Sequence, residues 1–126
     1  MSLLSFLVVG GGPPGCAVAA ALASRGAETS VIESATLRLP PDGVAALQSL
    51  GVDVRVGFGL VGVIDVGTHL EAELSNGHVE NYDGIVLADA DTAARIDDGI
   101  RGVSLVADGT DVDREAARLV RPQRTG

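Results

Sequence analysis

Residues 3–33, LLSFLVVGGGPPGCAVAAALASRGAETSVIE, decide the fold. Leu3 to Val9 is a nearly unbroken apolar run that stops at glycine, the pattern of a strand buried on both faces. Gly10, Gly12 and Gly15 follow in the spacing G-x-G-x-x-G. Cys16 to Ser24 is rich in Ala and Leu, with high helix propensity. Arg25-Gly26 ends that helix with a cation and a C-terminal glycine. Glu28 to Glu33 reads as a second strand. Strand, glycine turn, helix and strand within about 30 residues are what a βαβ unit requires.

Each residue of the turn has a physical task. Gly10 permits the tight turn, Gly12 lets a pyrophosphate approach the backbone with no Cβ in the way, and Gly15 lets helix and strand pack closely. The helix N-terminus turns N–H groups and a partial positive charge toward an anion. Pro13 and Pro14 fall within the loop itself. Glu33 ends the second strand 18 residues after Gly15, near the interval of about 20 at which an acid meets the adenosine ribose. A carboxylate there accepts from the ribose hydroxyls and repels a 2′-phosphate, which disfavours NADP. The pattern points to an adenine dinucleotide; the plain alternative is a glycine-rich turn with no ligand.

Outward from this unit, Pro40-Pro41 breaks a loop over Thr36 to Asp42. Asp42 is placed to cap a helix from Gly43 to Leu50, with Val44, Leu47 and Leu50 on one face. Gly51 closes it. Val52 to Val56 alternates as a third strand. Leu60 to Asp65, His69 to Leu74 and His78 to Tyr82 read as an antiparallel excursion, with Asn76-Gly77 as a hairpin turn. Ile85 to Ala88 is another buried strand, Asp91 to Asp98 a short helix, Val103 to Ala107 a last core strand and Asp111 to Val120 a final helix. That order predicts a three-layer α/β domain with a parallel sheet and a small β-meander. Such sheets bind ligands at the carboxyl ends of their strands.

Composition narrows the classes. The 126 residues suit one domain, expected over 1–121 with 122–126 as a flexible tail. The net charge of −8 argues against a nucleic-acid surface, which needs clustered cations. One Cys excludes an internal disulfide framework, a Cys-based zinc site and a redox dithiol within this chain. The first 24 residues carry no charge. Gly10 to Gly15 nevertheless interrupts any membrane-spanning helix, and no basic segment precedes the apolar run as a secretory signal requires. A cytoplasmic protein is expected.

The stretch GGGPPGCAVAAALASRGAETSVIE (10–33) resembles the amino-terminal FAD-binding segment of two-dinucleotide-binding-domain flavoproteins. These include the aromatic-ring monooxygenases of the para-hydroxybenzoate hydroxylase type and the glutathione reductase group. GVDVRVGFGLVGV (51–63) is similar to that family's third strand and the entry to its meander. LSNGHVENYDGIVLADA (74–90) is similar to its "dG…yD.vv.A.G" stretch, and GVSLVADGTDVDREAARLV (102–120) looks like a shortened form of its last strand and helix. The resemblance implies a Rossmann-like FAD/NAD(P)-binding domain. It implies Arg38 near the AMP phosphate, Leu60 lining the adenine and Asp108 on the ribityl chain of the flavin. The chain departs from the family at Ala88-Asp89-Ala90, which replaces a glycine-containing stretch, and at Ala107-Asp108-Gly109. The family's inserted substrate domain is absent. The same pattern also resembles the NAD-binding domain of disulfide reductases. By analogy FAD is the first cofactor and NAD the alternative. The activity implied is a FAD-dependent, monooxygenase-like oxidoreductase that needs a partner subunit, a homo-oligomer or the missing domain for turnover. The other classes are a non-catalytic nucleotide-binding module and a remnant that binds nothing.

Other residues have bland readings. Cys16 at a helix start is either a reactive thiol or, more commonly, a small packed residue. His69 and His78 read as surface polar groups rather than metal ligands. Asp89, Asp91, Asp97 and Asp98 lack calcium-loop spacing and suit a solvated helix face. Asp111 and Asp113 suit a helix N-terminus. No catalytic residue is identifiable, and an apolar surface is expected where the substrate domain would have packed.

Overall fold

The computed structural model describes residues 4–34, 41–57, 59–96, 99–107 and 111–120. Five parallel strands form the central sheet: β1 (Ser5–Val9), β2 (Glu28–Glu33), β3 (Asp53–Val56), β7 (Gly84–Leu87) and β8 (Val103–Leu105). Their spatial order is β3-β2-β1-β7-β8. Between β3 and β7 the chain makes an antiparallel meander of β4 (Leu60–Asp65), β5 (Leu70–Leu74) and β6 (Val79–Tyr82). Four helices complete it: α1 (Pro13–Ser24), α2 (Pro41–Ser49), α3 (Ala90–Arg95) and α4 (Val112–Leu119). This is the three-layer α/β Rossmann-like arrangement that the element order predicts.

The two faces of the sheet follow from the period-2 alternation of strands. On β1, Phe6 and Val8 face the helices and join Val18 and Leu22 of α1, Leu47 of α2 and Ala116 of α4 in one core. Leu7 and Val9 face the other way and pack on Leu60, Leu70, Leu74 and Tyr82 of the meander. The apolar run is continuous because both faces are covered, and the small aliphatic side chains suit the thin layers.

Topology then creates an opening. After β1 the chain moves by α1 to β2 and by α2 to β3, always to one side. After the meander it returns to the other side of β1 as β7, then β8. The order reverses between β1 and β7, and a crevice forms there at the carboxyl ends of the strands.

Several boundaries differ from the sequence reading. The first helix begins at Pro13, three residues earlier than expected, because proline lacks an N–H that the first helical position does not need. The second helix begins at Pro41, so Asp42 lies inside its first turn instead of capping it. Leu47 is buried, but Leu50 falls beyond the end of α2 and is exposed. The short third helix spans Ala90–Arg95, not Asp91 to Asp98, and Asp89 caps it by accepting from the Asp91 N–H. The last strand stops at Leu105. Asp111 caps α4 by accepting from the Arg114 N–H at 3.2 Å. The hairpin at Asn76-Gly77 forms as expected, with Gly77 at φ +89°. Arg38, Asp97, Asp98, Asp108 and the tail 122–126 lie outside the described residues.

A candidate dinucleotide cleft

The turn between β1 and α1 is shaped by contacts that exclude side chains. Gly10 has φ +114°, and a Cβ on it would lie 3.1 Å from the Ala88 carbonyl carbon and from the Asp89 backbone nitrogen. Its N–H donates to the Ile32 carbonyl at 2.9 Å. A Cβ on Gly15 would fall 2.0 Å from the Gly10 carbonyl oxygen and 3.2 Å from the Ala88 Cβ. The first and last glycines of the motif therefore let α1 close onto β1 and β7. Gly12 is the N-cap of α1, with extended backbone and no side chain to cap the helix. No acidic residue stands in the first turn of α1. Pro13 and Pro14 carry no N–H, so the first-turn donors at this end come from Gly12 and Gly15.

Glu33 ends β2 beside this turn. It is 6% exposed, and its carboxylate accepts the Gly11 N–H at 2.7 Å. The acid that the sequence assigns to a ribose is thus also the acceptor for a loop amide. Cys16 is buried one turn into α1, and its Sγ lies 3.3 Å from the Gly11 carbonyl. Burial pushes its thiol up to about 11, and the Glu33 carboxylate adds to the rise. The desolvation outweighs the helix dipole that could activate it. Cys16 is a packed thiol.

Beside this turn lies one cleft of about 790 Å³. Gly10, Gly12, Pro13 and Pro14 line it together with Glu33 and with Ala88 to Asp91 of the β7–α3 turn, which packs against Gly10. Leu87, Leu105, Val106 and Ala107 supply the ends of β7 and β8. Asp89 is fixed there by its own bonds, accepting from Thr92 Oγ1 at 2.9 Å as well as from the Asp91 N–H. Volume and apolar lining suit an organic cofactor. Leu60 does not line the cleft. It is 1% exposed and lies in the meander-side core.

A smaller cavity of about 340 Å³ lies at the opposite end of the sheet, with Asp65, His69, Asp83 and Arg101 around it. It shares no residue with the glycine loop. His69 bonds to Thr68 and His78 is exposed. Among the described residues no group of three His, Cys, Asp or Glu is placed to hold a metal ion, and no helix is long and apolar enough to cross a membrane.

Residues 2–94 match the sequence profile of the family described as pyridine nucleotide-disulphide oxidoreductase. The chain belongs to that family. Its members bind FAD or NAD(P), and the Rossmann-like domain seen here is theirs. No curated protein matches the chain in sequence.

Solved structures share the fold at low identity. The flavoprotein disulfide reductase RclA from Escherichia coli superposes with TM-score 0.61 at 19% identity, over 68% of this chain and 21% of that one. The tetrameric form of 2-methyl-3-hydroxypyridine-5-carboxylic acid oxygenase gives 0.60 at 21% identity, over 71% and 40%. A pyridine nucleotide-disulfide family oxidoreductase from Enterococcus faecalis gives 0.59 at 19% identity, over 66% and 21%. The matched region is well under half of each of these chains. The Gly10 to Gly15 motif and Glu33 are singled out by the sequence; Ala88 to Ala90 reads there as a departure from the family, Asp89 and Asp91 as part of an acidic run, and Leu105 to Ala107 as strand, with Ala107 opening a second departing stretch.

Proposed function

We infer that this domain holds an adenine dinucleotide in the cleft, with FAD as the first occupant and NAD as the second. The carrying observation is that Glu33 and the Gly10-x-Gly12-x-x-Gly15 turn, distant in sequence, face the same crevice at the topological switch point. Adenosine lies toward Glu33 and the pyrophosphate over Gly12, Pro13 and Pro14 at the start of α1. Gly15 contributes by letting α1 approach. Arg38 and Asp108 are assigned by resemblance to the AMP phosphate and the ribityl chain, outside the described residues. The buried position of Leu60 supports a packing role for it behind the site. The bound cofactor supplies the redox chemistry, and the protein positions it. Glu33 disfavours a 2′-phosphate and with it NADP.

Residues 1–121 act as a single domain of a cytoplasmic oxidoreductase, with 122–126 as a tail. Turnover needs a further substrate-binding unit, a partner subunit or another copy. In support, Val61, Ile64 and Val79 of the meander are each at least half exposed, although Glu71 pairs beside Ile64 and Glu73 beside Val79, so these apolar groups are interspersed with carboxylates. A monodisperse monomer that binds no apolar dye would count against this.

The test of cofactor binding is an absorbance spectrum of the purified protein, before and after incubation with FAD and desalting. Retained flavin bands are expected. A colourless protein that binds neither FAD nor NAD by calorimetry would overturn the reading.

A further inference from the structure

The smaller cavity, of about 340 Å³, lies at the end of the sheet away from the glycine turn. Leu4 and Leu70 line it beside Asp65, His69, Asp83 and Arg101. Its charged groups are of both signs, yet no ion pair joins Arg101 to Asp65 or Asp83. Each is anchored to backbone instead. Arg101 Nη2 donates to the Gly67 carbonyl at 3.1 Å. Asp65 Oδ1 accepts the Gly67 N–H at 2.9 Å. Asp83 Oδ2 accepts the Ser5 N–H at 2.8 Å. These bonds use one edge of each group. Among the described residues, Asp65 Oδ2, Asp83 Oδ1 and the rest of the guanidinium have no partner. Opposite charges are thus held apart around a common space that their direct pairing would close.

We propose that this cavity binds a small zwitterion of amino-acid size, its carboxylate on Arg101 and its ammonium on Asp83 and Asp65. A planar guanidinium takes a carboxylate through two parallel N–H bonds, each stronger than a neutral one. An ammonium has three donors and suits carboxylate oxygens that accept no other bond. A ligand with both groups satisfies both signs at once, and a ligand with one leaves the opposite charge of the cavity unmatched. Leu4 and Leu70 offer aliphatic lining to the ligand's carbon chain. The volume lies at the small end of ligand sites, which run from about 300 to 1,000 Å³. Arg101, Asp65 and Asp83 are solvent-exposed, so water competes and the affinity is moderate, on the order of 0.1–1 mM. The cavity shares no residue with the dinucleotide cleft, and the inference stands apart from the reading of that cleft.

Calorimetric titration of the full chain with L-leucine and with 4-aminobutyrate, two zwitterions of different charge separation, tests this. Each is compared with its amide, which lacks the carboxylate, and with its N-acetyl derivative, which lacks the ammonium. At least one zwitterion should bind, at least about five-fold more tightly than either of its derivatives. Arg101→Gln should weaken that binding about tenfold and Asp83→Asn about three-fold. Both side chains are exposed, so circular dichroism should show both variants folded. Excess FAD should leave the affinity unchanged. No binding of either zwitterion at roughly 10 mM, equal binding of a derivative, or an affinity unchanged in Arg101→Gln would overturn the proposal. Competition by FAD would do the same, by placing the zwitterion in the cleft at the glycine turn.

Discussion

The carboxylate of Glu33 accepts a 2.7 Å hydrogen bond from the backbone N–H of Gly11, 22 residues earlier in the chain. This one contact ties the end of β2 to the glycine turn and fixes the spacing between the two. Glu33 therefore has a structural task in the protein and a proposed ligand task, and the two can be separated. Glu33→Gln keeps an acceptor for Gly11 and removes the charge. It should keep most of the stability and lower the discrimination between NAD and NADP by about tenfold, the equivalent of roughly 1.4 kcal/mol. Glu33→Ala removes both and should cost about 1.5–3 kcal/mol. Urea denaturation and calorimetric titration of both variants would check this; a Gln variant as unstable as the Ala variant would show that the amide fails to replace the carboxylate on Gly11.

Gly15→Ala tests the close approach of α1. Its Cβ would sit 2.0 Å from the Gly10 carbonyl oxygen, a backbone atom that no rotamer can move. A loss of about 2–3 kcal/mol is expected, together with weaker dinucleotide binding as the turn is forced open. Gly26→Ala is the control: a Cβ there meets nothing within 4 Å, although its φ of +86° still strains an L residue. Gly26→Ala should leave binding unchanged, since its position lies at the far end of α1.

Cys16 should be inert in the folded protein. Its thiol is pushed up to about 11, so at neutral pH it is protonated as well as buried. Alkylation by iodoacetamide at about pH 8 should be slow in buffer and complete in denaturant. The sign of the linkage follows. A thiol whose folded value lies above the ordinary 9.0 binds more protons folded than unfolded between those values. Its contribution to stability is therefore complete below pH 9 and is lost as pH rises toward 11. Tyr82, pushed up from 10.0 to about 12 by burial and its bond to Glu80, acts in the same direction at still higher pH. Denaturation midpoints should fall over the alkaline range, and Cys16→Ser should flatten the lower part of that fall.

A second clamp joins the main sheet to the meander. Arg55 on β3 donates to both carboxylate oxygens of Glu80 on β6, at 2.8 and 2.9 Å, and to Tyr82 Oη at 3.1 Å. It also pairs with Asp53 at 3.2 Å. The bidentate guanidinium holds Glu80 down to about 2. A depressed carboxylate stabilises above its ordinary value of 4.5 and loses that contribution as pH falls toward 2. Arg55→Lys cannot reproduce the fork and should cost about 1 kcal/mol, because both side chains remain partly solvated. A double-mutant cycle with Glu80→Gln would show the coupling as non-additivity; additive losses would mean that the pair contributes nothing beyond packing.

Much of this architecture was legible in the residues themselves. The unbroken apolar run of β1, the glycine spacing, the alternation of β3 and the Asn76-Gly77 turn each encode a local geometry, and each formed. The alternation of Phe6 and Val8 with Leu7 and Val9 already implied two covered faces. Helix starts were less legible, since Pro13 and Pro41 read equally well as breaks and as first helical residues. Asp89 read as part of a solvated acidic run because its bonds to Thr92 and the Asp91 N–H depend on where α3 begins.

The sequence alone determined the βαβ unit, the need for glycine at 10 and 15, and the acid at 33, because these follow from backbone sterics and from periods of a few residues. Only the tertiary structure decided that Glu33 turns back onto Gly11, that Leu60 lies in the meander-side core, and that Asp89 at the β7–α3 turn packs against Gly10. These relations join residues that the crossover from one side of β1 to the other brings together. Local propensity carries no record of which distant strand will lie alongside, whereas burial of both sheet faces does.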